Sequence, residues 1–89
     1  MDQTPIDSGS RLVTRTELTD LPPSSKLVLL VLEADGPLTQ RELAAETRLP
    51  QRTVRLAAHR LVEKGLVDRR PYFPDARQSI YSITATFVD

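Results

Sequence analysis

The stretch TQRELAAETRLPQRTVRLAAHRLVEKG, Thr39 to Gly65, constrains this chain more than any other. Thr39-Gln40-Arg41-Glu42 has the form of a capping box: the threonine hydroxyl accepts from the amide three residues on, and the glutamate reaches back to the cap amide. A short helix, Gln40 to Thr47, is expected to bury Leu43 and Ala44. Leu49-Pro50 then turns the chain, since proline is tolerated where a new helix begins. The next helix should run from about Gln51 to Lys64, with Val54, Ala57, Ala58 and Leu61 on one apolar stripe. Gly65 supplies the left-handed residue that ends it.

Elements on either side complete the unit. Pro22-Pro23-Ser24 precedes an apolar run, Leu27 to Leu32, and Gly36 follows it, which favours a helix of about three turns over a buried strand. At about 100° per residue, Leu27, Leu30, Val31 and Ala34 share one face while Val28, Leu29 and Leu32 point elsewhere. A helix apolar nearly all round should be covered on more than one side. Gly36-Pro37 is a turn, and a strand is possible at Pro37-Leu38. After Gly65, Leu66 and Val67 open a strand, and Ser79 to Thr84 alternates like a half-buried one. Between them lie Pro71, Tyr72, Phe73 and Pro74, and then Asp75-Ala76 turns the chain. The fold class is therefore α+β, mainly α: a winged helix-turn-helix of three helices and a small β-hairpin wing, over residues 22–84. Residues 1–10 are expected to be a disordered tail. Residues 11–21 should form an arm, strand or helix, docking on the body or on a partner subunit, and residues 85–89 a short C-terminal tail.

At 89 residues the chain has room for one domain. It has no cysteine, which removes disulfides, thiol switches and cysteine zinc sites. No apolar run approaches the roughly 20 residues of a membrane span, and the N-terminus lacks a secretory pattern, so a cytoplasmic protein is expected. The formal net charge of zero argues, taken alone, against a nucleic-acid partner. Its distribution argues otherwise. Residues 1–36 hold three basic and six acidic side chains, net −3, whereas residues 37–83 hold nine basic and five acidic, net +4. An anionic partner would bind the second half. Arginine outnumbers lysine ten to two, a bias that either genomic base composition or bidentate phosphate contact would produce.

On helix 51–64, the side opposite the apolar stripe presents Gln51, Arg52, Arg55, Leu56 and His59. In a helix-turn-helix this end enters the major groove. There arginine pairs with guanine, glutamine with adenine, and an apolar side chain meets the thymine methyl. The bland alternative is a solvated charged face, but no acid balances these residues before Glu63. Thr39 and Gln40, opening the preceding helix, and Thr53 are candidates for backbone contact, Thr39 being first a cap. On the wing, Arg77 near the tip can enter a narrow minor groove. Asp75, two residues earlier, can orient it through an ion pair; the alternative is a solvent-exposed hairpin with an ion pair worth under about 1 kcal/mol. Tyr72 and Phe73 are expected to pack on the hairpin base rather than stack on bases. His59 is the only histidine and has no ligand-type neighbours, so no metal and no cofactor are expected. Nothing forms a nucleophile or acid–base constellation, and no enzyme is expected.

Taken together, the Leu-Thr-Gln-x-Glu-Leu-Ala entry, Arg-Thr-Val, Gly-Leu-Val, and the Asp-x-Arg wing before Tyr-x-Ile-Thr resemble the winged-helix transcription regulators of the MarR type, especially compact archaeal members. The resemblance spans about Pro22 to Thr84. It implies prokaryotic transcription regulation through double-stranded DNA. Gln51, Arg52, Thr53 and Arg55 would serve the major groove, Arg77 the minor groove, and Asp75 would orient Arg77. Family members flank this unit with helices that form a dimer and often an effector pocket. This chain ends five residues after Thr84, so no C-terminal dimerisation helix and no effector sensing are expected. Homodimerisation would fall to the first helix and residues 11–21; the alternative is that this arm covers the helix within one subunit. The rival function is a winged helix that docks protein partners in a larger complex, with RNA binding a weaker third.

Overall fold

The computed structural model describes residues 11–87; the expected tail at 1–10 and residues 88–89 lie outside them. In chain order the elements are β1 (Arg11–Val13), α1 (Arg15–Thr19), α2 (Pro23–Asp35), β2 (Leu38–Thr39), α3 (Gln40–Thr47), α4 (Gln51–Glu63), β3 (Val67–Pro71), β4 (Ser79–Ile83) and β5 (Ala85–Phe87). This is a winged helix-turn-helix, mainly helical, with α2, α3 and α4 as its body and β3–β4 as the wing.

Local chemistry sets the boundaries. Thr39 Oγ1 accepts from the Glu42 amide at 3.1 Å, and the Thr39 amide donates to Glu42 Oε1 at 2.8 Å, so α3 starts with both ends of its capping box closed. It stops at Arg48, the single non-glycine residue with positive φ (63°) among the described residues. Two bonds of Thr47 support that turn: its hydroxyl donates to the Leu43 carbonyl at 2.7 Å and accepts from the Leu49 amide at 3.2 Å. Gly65, at φ 74°, ends the chain's run out of α4 in the left-handed region.

The core lies where α2 crosses α4. Val28, Leu29 and Leu32 meet Val54, Ala57, Ala58 and Leu61, and Leu43, Leu66, Val67 and Tyr81 close the cluster. Ser25, fully buried on the same face of α2, donates to the Ala57 carbonyl at 3.4 Å, so the one polar side chain in this contact is satisfied. The antiparallel sheet has the order β2-β4-β3, with Leu38 opposite Tyr81 and Tyr81 opposite Arg69. The central strand β4 therefore joins the helix-turn-helix to the wing.

Three features differ from the sequence reading, and a fourth follows one of the two alternatives it left open. There are four helices rather than three: α1 forms behind its own capping box, Thr14 with Glu17. Residues 85–87 are not a tail, because Ala85–Phe87 pair in parallel with Arg11–Val13. Thr84 makes the break between β4 and β5, its amide donating to the Leu66 carbonyl at 3.0 Å. Val13 and Leu21 are buried in the core, so the arm is anchored on its own chain. Finally, the row Leu27, Leu30, Val31 and Ala34 is the outer side of α2, with Leu30 49% and Leu27 37% exposed. The arm leaves that row open, and Leu12 is itself 67% exposed.

Candidate nucleic-acid interface

The N-terminus of α4, the start of α3 and the wing enclose a cleft of about 590 Å³. Helix α3 contributes Gln40 and Arg41, and α4 contributes Gln51, Arg52 and Arg55. The sheet side supplies Arg69, Arg77, Gln78, Ser79 and Tyr81. Five guanidinium groups converge here, and no carboxylate lines the cleft. Pro50, the residue before α4, offers no side-chain cap, so the first amides of this helix are not satisfied by one. Amides in that position, together with the helix dipole, favour an anion.

Strand parity decides which wing arginines take part. Val67 is buried and faces the helices, so Arg69, two residues on, lies on the same face and enters the cleft. Arg70 points the other way, where its Nε donates to Asp68 Oδ2 at 2.6 Å. Adjacent arginines thus have separate roles, one in the cleft and one in a surface ion pair.

At the wing tip, two successive turns are closed by the Asp75 amide donating to the Tyr72 carbonyl at 2.9 Å and the Gln78 amide donating to the Asp75 carbonyl at 2.9 Å. One oxygen of Asp75 accepts from both the backbone amide of Arg77, at 3.1 Å, and its Nε, at 3.3 Å. The Asp75 carboxyl is held below its ordinary value by the Arg77 amide first, then by the Arg77 side chain, with Gln78 and the positive charge of Arg41 adding to them. The Arg77 side chain stays 92% exposed, tethered to Asp75 through Nε.

An adjoining recess of about 520 Å³ holds Leu56 and His59, with Arg55 and Arg69 shared between the two. His59 Nε2 lies 3.5 Å from Glu63, one turn along the helix. Tyr81 borders both recesses; burial raises its phenol pKa, and the nearby Arg69 and Arg55 pull it the other way.

Of the residues singled out from sequence, Gln40, Gln51, Arg52, Arg55 and Arg77 meet in the first cleft, and Leu56 and His59 lie in the second. Thr39 and Thr53 line neither: Thr39 is buried with its hydroxyl engaged in the cap, and Thr53 is half-buried. Arg41, Arg69, Gln78, Ser79 and Tyr81 were not anticipated. Strand alternation from Val67 was the signal that would have found Arg69. Phe73 is a correction. It does not pack on the hairpin base but stands 93% exposed, because the turn closed on Tyr72 carries it beyond any neighbour. Tyr72 is half-buried, its amide paired with the Gln78 carbonyl at 3.0 Å.

A helix-turn-helix whose second helix and wing arginines face one carboxylate-free cleft defines the winged-helix class of regulators. The chain belongs to the MarR family, whose model matches residues 19–78. Among solved structures, it is similar to the YusO protein of Bacillus subtilis, at 30% identity and a TM-score of 0.70, over 78% of this chain and 49% of that one. The PcaV transcriptional regulator of Streptomyces coelicolor, solved with its natural ligand, is 28% identical over 73% of this chain and 46% of its own, with a TM-score of 0.69. Reduced AbfR, solved bound to DNA, is 30% identical over 74% of this chain and 48% of its own, with a TM-score of 0.68. The chain thus spans about half the length of these solved relatives. No curated protein sequence matches it.

Proposed function

We propose that this chain binds double-stranded DNA sequence-selectively as a non-catalytic transcriptional regulator of the prokaryotic cytoplasm. Helix α4 enters the major groove, and the wing, residues 71–79, enters the minor groove. The observation that carries this reading is the gathering of five arginines around one carboxylate-free cleft in a chain of zero net charge. The likeness to AbfR, solved on DNA, supports it. Arg41, Arg52, Arg69 and Arg77 meet phosphates or the minor groove, while Arg55, Gln51 and Leu56 face base edges. Thr53 and His59 flank them, and Asp75 orients Arg77.

Titrating fluorescent duplex DNA with the protein at rising salt tests the reading. Each phosphate neutralised contributes about −0.9 to the slope of log K against log salt, so four arginines give about −3.6. Absence of binding at low salt, or a flat slope, overturns it. A protein-docking role is distinguished by reversing charge at Arg52 and Arg55: a docking module working through another face keeps its partner, whereas a DNA-binding protein loses its duplex. The same reading includes a homodimer through α2 and residues 11–21, supported by the exposed Leu12, Leu27 and Leu30.

A further inference from the structure

We propose that Gln40 is a positioning residue that sets the hydrogen-bond polarity of Gln51, and with it the base preferred opposite the start of α4. The proposal rests on the DNA-binding reading above. Gln40 Nε2 lies 3.4 Å from the main-chain carbonyl oxygen of Gln51 and 3.2 Å from Gln51 Oε1. The two ends of a glutamine amide differ only in which of them donates, so their orientation has to follow from the partners. The carbonyl settles it. A main-chain oxygen can only accept, so the group of Gln40 facing it must be the NH₂. That NH₂ has a second hydrogen, which goes to the neighbouring amide of Gln51, and the atom receiving it must be Oε1. One fixed acceptor therefore orients two side chains in sequence, and Nε2 is left as the free donor of Gln51, a residue that lines the cleft.

The consequence is chemical. An unrestrained glutamine reads adenine with both ends, accepting from N6 and donating to N7. Gln40 engages one of the two lone pairs of Oε1 while both hydrogens of Nε2 stay free, so the donor end of Gln51 dominates its reading. The major-groove edge richest in acceptors is that of guanine, with O6 and N7, and the edge of cytosine offers only a donor. Gln51 therefore favours guanine and disfavours cytosine at the position it meets.

Neither side chain is buried, so substitution at either position should leave the fold intact. Gln40 opens α3 next to a capping box made by Thr39 and Glu42, and an acid in the first turn suits the helix dipole. Gln40→Glu replaces the donor with an acceptor, which withdraws from the Gln51 carbonyl and is satisfied when the amide of Gln51 turns over, Nε2 toward Glu and Oε1 toward the groove. Gln40→Ala removes the orienting partner altogether.

The experiment selects duplexes from a randomised DNA library with the wild-type chain, Gln40→Ala, Gln40→Glu and Gln51→Ala, each checked for an unchanged melting temperature. Gln51→Ala identifies the position, as the one base whose preference disappears. At that position the wild type should enrich guanine over cytosine about three- to tenfold, the effect of one hydrogen bond. Gln40→Ala should shift the preference toward adenine, and Gln40→Glu toward the amino-bearing bases cytosine and adenine. A merely structural role would weaken binding at all positions alike and leave the profile unchanged. An unaltered profile in Gln40→Glu, or cytosine favoured by the wild type, overturns the proposal while leaving DNA binding intact. Failure of the wild type to enrich any sequence overturns the DNA-binding reading, and this inference with it.

Discussion

Arg77 is tethered at its base by Asp75 and extends its guanidinium into solvent, which is the form a minor-groove probe needs. Arg77→Ala should weaken duplex binding and reduce the magnitude of the salt slope by about 0.9, one phosphate-equivalent, as read from anisotropy titrations at several salt concentrations. Arg55→Ala should instead relax base preference, because Arg55 lines both recesses on the exposed side of α4; a selection profile that keeps every preference would refute this. Asp75 has a separate signature. Its pKa is lowered in the folded chain, so its contribution is present above the ordinary aspartate value, near 3.9, and is lost only as pH falls through the depressed folded value. The brace therefore persists from neutral pH down through pH 4. An NMR titration of the Asp75 carboxyl should show a midpoint below that of a free aspartate, and in Arg77→Ala the midpoint should move back upward, by the lost side-chain contact.

At the level of elements, the turn between α3 and α4 is the place to measure strain. Arg48 adopts φ 63° with a side chain attached, a conformation that disfavours L-residues by about 1–2 kcal/mol. Glycine removes that penalty but has a more disordered unfolded state, so Arg48→Gly should stabilise the chain by about 0.5–1 kcal/mol, measured by urea unfolding. Thr39→Ala should act in the opposite direction, by about 1 kcal/mol, through loss of the cap. These elements also show what a sequence can reveal. The bounds of α3 and α4 are legible because a capping box, a proline and a glycine mark them chemically, and the stripe from Val54 to Leu61 names its own buried face. The inward side of α2 is not legible, since apolar residues surround the helix and periodicity cannot rank Val28 above Leu27. Phe73 is misplaced, and α1 is left open between strand and helix, for related reasons. A turn residue has no period to report its direction, and a five-residue helix has too few turns to show one. Within the cleft, the residues on α4 follow from helical phase and Arg69 from strand alternation, whereas Arg41 depends on how α3 packs beside α4 and the sheet.

Across the whole molecule, charge and apolar surface are only partly segregated. Leu56 and Phe73 are exposed on the α4 and wing side that carries the arginine cleft, while Leu12, Leu27 and Leu30 are open on β1 and the outer face of α2. A partner that covers α2 therefore leaves the cleft free, and a second copy of the chain meets that condition. Paired copies would also present two recognition helices, for half-sites about 34–36 Å apart if the dimer follows helix-turn-helix geometry. Leu30 is the residue on which to test this, because at 49% exposure it contributes little to the core of its own subunit. Leu30→Glu should therefore leave the fold intact and place charge in the dimer contact. Sedimentation of the wild type should show a dimer, and its melting temperature should rise with protein concentration, as mass action requires of a folded dimer. Leu30→Glu should sediment as a monomer with a melting temperature independent of concentration. On duplexes carrying two half-sites it should also lose the tighter binding that linkage of two modules confers, while its affinity for a single half-site stays near that of the wild type. A wild-type chain that remains monomeric at every concentration would refute this pairing, and the outer face of α2 would then have no role in DNA recognition.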